Sequence, residues 1–78
     1  MTAFSLMPSA DLWIWRADGR ARSGACAEKA GQLPAALDEY RAAASHYRDA
    51  ERLDPALKPK VEPLLQESER KIAELAPK

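Results

Sequence analysis

The sequence predicts an all-α protein, an antiparallel three-helix bundle. Three observations carry that prediction. Apolar residues recur at helical spacing in three separate blocks, nothing alternates at period two with β-branched residues, and Gly and Pro fall mainly between the blocks.

The first helix is expected over about residues 9–30, with Ser9, after Pro8, as the N-cap. Its apolar series is Ala10, Trp13, Ile14, Ala17, Ala21, Gly24 and Ala25, and Gly31 is placed to stop it in a left-handed turn. Gly19 and Gly24 each weaken it by up to about 1 kcal/mol relative to alanine. The second helix is expected over about residues 34–53, because Pro34 is tolerated in a first helical turn and Asp54-Pro55 ends the segment. Its stripe of Leu33, Ala36, Leu37, Tyr40, Ala43, Ala44, Tyr47, Ala50 and Leu53 holds a 3-4 spacing, with most charges off it. The third helix is expected over about residues 60–76, on the stripe Val61, Leu64, Leu65, Ser68, Ile72 and Leu75. Residues 54–63 read as a linker or irregular lead-in, with Pro63 in the first turn of that helix. Ala76-Pro77-Lys78 is a proline stop.

Composition narrows the function. The 78 residues allow one domain, and 12 Lys+Arg against 12 Asp+Glu give zero formal net charge. The charges are spread evenly along the chain, so a nucleic-acid binder that works by neutralising phosphates is not expected. A single cysteine, Cys26, excludes an intramolecular disulfide framework and suits a reducing compartment. The apolar stretch Leu12–Trp15 is far short of the roughly 20 residues that cross a bilayer. The first eight residues lack the basic lead and apolar core of a signal peptide. The expectation is a small cytoplasmic module without direct membrane insertion.

No arrangement of residues points to catalysis. His46 is the sole histidine, and no nucleophile or orienting acid is marked out to converge on it, so it reads as a rim histidine. Cys26 reads as a packed small residue near a helix end. One Cys and one His are too few for zinc, and the glycines form no phosphate loop, so no cofactor is expected. Glu67, Glu69, Arg70, Lys71 and Glu74 read as solvated pairs on a helix face. Trp13 and Trp15 point in different directions around a helix, about 200° apart, so one suits the core and the other is exposed. The exposed one either marks a contact surface or covers an end of the bundle. Small residues on the first helix let it approach a neighbour closely, with Tyr40 and Tyr47 supplying bulk in return, and leave grooves elsewhere.

The segment Ala27-Glu28-Lys29-Ala30-Gly31-Gln32-Leu33-Pro34-Ala35-Ala36-Leu37-Asp38-Glu39-Tyr40-Arg41-Ala42-Ala43, continuing to Tyr47, Ala50 and Leu53, resembles MIT (microtubule-interacting and trafficking) domains. Those domains read approximately as a helix ending in an acid, a Gly or Asn, then Tyr-x-x-Ala-Leu-x-x-Tyr-x-x-Ala, an aromatic and another Ala. Leu33 stands at the first Tyr, and Ala36-Leu37, Tyr40, Ala43, Tyr47 and Ala50 match in register. Leu64-Leu65-Gln66-Glu67-Ser68-Glu69 is similar to the family's Tyr-Leu-x-Arg-Ala-Glu, with Ser68 for Ala and Glu67 for Arg. The first helix departs from the pattern before Glu28.

The rival resemblance is a tetratricopeptide-repeat-like hairpin, in which Ala50-Glu51-Arg52-Leu53-Asp54-Pro55 looks like a repeat's end. Its two halves are out of register: with Gly31 as the turn, Asp54-Pro55 comes about seven residues late.

The MIT resemblance implies a non-catalytic module for protein transport. It would dock a short helical motif of an ESCRT-III-like or autophagy partner in an inter-helix groove, and reach endosomal or other membranes through that partner. The groove between helices two and three would be lined by Ala43, Tyr47, Ala50, Leu64, Leu65, Ser68, Lys71 and Ile72, with Lys71 and Arg48 available to pair with acids on the incoming helix. Periodicity does not separate groove from core among these residues. The alternatives are a tetratricopeptide-like adaptor, or a self-assembly module whose interface is the Trp-bearing first helix.

Overall fold

The computed structural model describes residues 9–77. Pro8 of the expected helix start, Lys78 of the C-terminal stop and the stretch read against a signal peptide lie outside them.

The described chain is all-α: α1 (Ala10–Lys29), α2 (Leu33–Leu53), a short 3-10 turn (Pro55–Leu57) and α3 (Lys58–Leu75). Consecutive helices run antiparallel, so α1 and α3 are parallel to each other. Ser9 caps α1, its hydroxyl accepting the Leu12 N–H at 3.2 Å. At the other end Gly31 takes φ +77°. The Gly31 N–H then reaches the Glu28 carbonyl at 3.0 Å and the Gln32 N–H reaches Ala27 at 2.9 Å, which satisfies two end carbonyls. That turn folds α2 back onto α1 within three residues.

α2 is the central element. α1 and α3 each pack extensively on it, while the α1 and α3 backbones approach each other at few places. Its stripe of Ala36, Leu37, Tyr40, Ala43, Ala44, Tyr47 and Ala50 is buried throughout. Ile14 and Ala17 of α1 meet it from one side, Val61 and Leu65 of α3 from the other. Trp13 is half-buried against this core, whereas Trp15 is 68% exposed. Cys26 is exposed rather than packed, because it lies off the α1 face that meets α2.

The lead-in to α3 is more regular than the prolines suggest. Asp54 ends α2 and its carboxylate accepts the Ala56 N–H at 3.1 Å, starting the 3-10 turn that runs straight into α3. Pro63 therefore sits inside α3, beyond its first turn, where proline removes an intrahelical hydrogen bond. Val61 and Leu65, buried on either side of it, hold the segment helical by packing. Pro63→Ala restores that bond at an exposed position and is expected to stabilise the chain by about 1–2 kcal/mol, read as a higher urea midpoint.

Candidate functional site

Three helix faces converge on an open groove. Ala21, Ala25 and Glu28 follow one another at helical spacing along α1, and Leu64, Ser68 and Lys71 do the same along α3, so each set lies on one face. Because α1 and α3 are parallel and well separated, these faces become opposite walls. Tyr40 and Tyr47, two turns apart on α2, form the floor. The groove encloses about 580 Å³. Its width comes from the alanines, which project too little to meet Leu64 across the gap; Leu64 stays 38% exposed.

Each tyrosine ties the floor to α1. The Tyr40 hydroxyl donates to Glu28 at 3.1 Å, and the Tyr47 hydroxyl donates to Asp18. Burial, then the carboxylate each phenol faces, raises both tyrosines above their ordinary value. At the groove's end Lys71 donates to both oxygens of Glu28, at 3.1 and 3.2 Å. Glu28 is thus shared by all three helices. The hydrogen bond from Lys71, then that from Tyr40, holds its carboxyl below the ordinary range, and the same contact raises Lys71. A depressed carboxyl adds stability that is present above its unfolded value and lost as pH falls through the folded one. The difference in melting temperature between the native chain and Glu28→Gln is therefore expected to be full at neutral pH and to vanish as the pH is lowered below about 4.

The residues expected to line a groove between α2 and α3 are distributed differently. Tyr47, Leu64, Ser68 and Lys71 line the groove between α1 and α3. Ala43 and Ala50 are fully buried, Leu65 is in the core, and Ile72 packs half-buried against it. The α2–α3 seam is closed because alanines on α2 let Val61 and Leu65 seat directly against the helix. Arg48 lies on the outer edge of that seam, bridged to Glu69 at 2.6 Å. Neither Arg48 nor Lys71 is without an internal acid.

The charged face of α3 is correspondingly less uniform than it reads in sequence. Arg70 pairs within the helix with Glu67 and Glu74, while Glu69 and Lys71 reach across to α2 and α1. Ala21, Ala25, Glu28, Lys29, Tyr40 and Glu67 line the groove without having been expected there. The small residues of α1 were the available signal. Their partner wall was not, since it depends on how far α3 stands from α1.

His46 is half-buried with its ring 5.2 Å from that of Trp13. Among the described residues no helix is long and apolar enough to cross a membrane, and no group of three His, Cys, Asp or Glu could hold a metal ion. No family model, no curated protein and no solved structure matches this chain.

Proposed function

We propose that this chain is a non-catalytic docking module whose α1–α3 groove receives a short amphipathic helix from a partner protein. The observation that carries this reading is the groove itself: an apolar channel with a tyrosine floor and an exposed Leu64, bounded by charges. From Leu64 to Lys71 the wall extends about 10 Å, two helical turns, which suits a partner helix offering two or three apolar side chains at i, i+3 and i+4. Lys29 and Glu67 on opposite rims favour a partner whose flanking positions carry both signs. The resemblance to MIT domains extends this to C-terminal helices of ESCRT-III-like or autophagy subunits, and to recruitment of the parent polypeptide to transport machinery.

Leu64 is the residue on which to test it, since a change at Leu65 would disrupt the core instead. Leu64→Asp is expected to keep the helical content and lose at least about tenfold in affinity for such a helix, as burying an unpaired carboxylate outweighs the contact. Isothermal titration against a panel of ESCRT-III C-terminal helices, beside sedimentation of the chain alone, gives the readout. A monomer that binds one of them through Leu64 supports the reading. A chain that self-associates and ignores every peptide supports a second one, in which the exposed Trp15 on the outer side of α1 is an assembly contact.

A further inference from the structure

We infer that a second cleft, between α1 and α2, binds a phosphate group. It encloses about 560 Å³ and is lined by Arg16, Gly19, Arg20, Ser23 and His46. The four α1 residues fall at helical spacing on one face, so they point together toward His46 on α2. Nothing in the groove function proposed above uses them.

Four features single out this cleft. Arg16 is held in place by the Trp13 ring, its guanidinium carbon 5.1 Å from the ring centroid, and it has no ion-pair partner among the described residues. Arg20 stands one turn further along α1 and pairs with Glu39 at 3.0 Å. His46 carries a ring Nδ1 that is buried and without a hydrogen-bond partner. Gly19 lies inside α1, where alanine would be the better helix former, and a Cβ there would meet nothing within 4 Å. Packing does not require that glycine; what it provides is an unobstructed cleft floor between the two arginines.

The chemistry of the lining selects the ligand. The Arg16 guanidinium, with no acid paired to it among the described residues, is free to meet an anion, while Arg20 holds Glu39. Guanidinium forks match the oxygens of a phosphate in pairs, and the Ser23 hydroxyl can donate to another oxygen. Glu39 on α2 is the acid paired with Arg20. Asp49, one turn from His46 on α2, is held by Arg52. One positive charge, that of Arg16, is therefore left for an anion to neutralise.

The test is a titration of the full chain with inorganic phosphate at constant ionic strength, followed residue by residue by NMR, with phosphoserine and acetate in parallel. Phosphate and phosphoserine are expected to give saturable shifts at Arg16, Gly19, Arg20, Ser23 and His46, and acetate none. Arg16→Gln and Gly19→Leu, the first removing the free charge and the second filling the cleft, are each expected to weaken binding at least about tenfold. Arg16→Gln decides the matter if Gly19→Leu does not fold. Shifts spread over every surface cation without saturation, acetate binding as tightly as phosphate, or unchanged affinity in Arg16→Gln would each overturn the inference.

Discussion

Tyr47→Ala is expected to lower the stability of the chain by about 3–5 kcal/mol, a larger loss than any other single substitution considered. Among the described residues, five of the eleven buried hydrophobic ones are alanine, so the few large side chains carry most of the apolar burial. Tyr47 is only 2% exposed, belongs to the central cluster and reaches α1 through Asp18. Truncating a buried aromatic residue costs about 3–5 kcal/mol. A chain of 78 residues has in total about 4–12 kcal/mol of stability, so the loss takes roughly a third or more of it. Tyr47→Phe keeps the ring and removes only the hydroxyl, for an expected loss of about 1–2 kcal/mol. Urea denaturation followed by circular dichroism separates the two, and equal midpoints would refute the assignment of Tyr47 to the core. The phenol also has a pH signature. Its value is raised in the folded chain, so its stabilising contribution is complete below the ordinary value of 10.0 and is lost as pH rises above it. Tyr47→Phe is expected to flatten that alkaline limb, leaving the part due to Tyr40.

The second large effect is expected at Gly24. A Cβ there would lie 3.1 Å from three carbons of the Tyr40 ring, closer than comfortable contact. The ring cannot simply swing away, because its hydroxyl is fixed on Glu28 and the residue is 4% exposed. Gly24→Leu is therefore expected to push α1 off α2 and cost about 2–3 kcal/mol, despite leucine's better helix propensity. In a domain of this size that is roughly 10–20 °C in melting temperature. Gly19→Ala is the matched control: in the same helix, with nothing near its Cβ, it is expected to raise stability by up to about 1 kcal/mol. A glycine whose loss is harmful and one whose loss is helpful, five residues apart, would establish that Gly24 is there for the close approach of two helices.

How much of this was legible beforehand differs by helix. α2 was legible almost throughout, because its buried positions keep one spacing for five turns and its charges stand off them. α1 was legible in part. Ile14, Ala17 and Gly24 are buried as expected, but Ala25 is exposed, since alanine marks a buried face too weakly to distinguish it from a groove wall. Pro63 misled, as local propensity places proline in a first turn while packing of Val61 and Leu65 carries the helix past it. The groove was the least legible feature. Periodicity places Leu64 and Ser68 on one stripe of α3 and only the MIT resemblance adds Lys71, yet which neighbour that face meets depends on distances between helix axes that no local pattern encodes.

Glu28 has a consequence for alignment along the bundle axis. Coiled or bundled helices with alanine-rich faces slide easily, because one small residue resembles the next. A carboxylate read at once by Tyr40 and Lys71 acts as an index mark. Displacing α3 by one turn would carry the Lys71 position about 5.4 Å along the axis, beyond reach of Glu28, and would leave that acid with one donor instead of two. Polar geometry at Glu28 thus favours one longitudinal offset of the three helices, alongside the apolar fit of Gly24 against Tyr40.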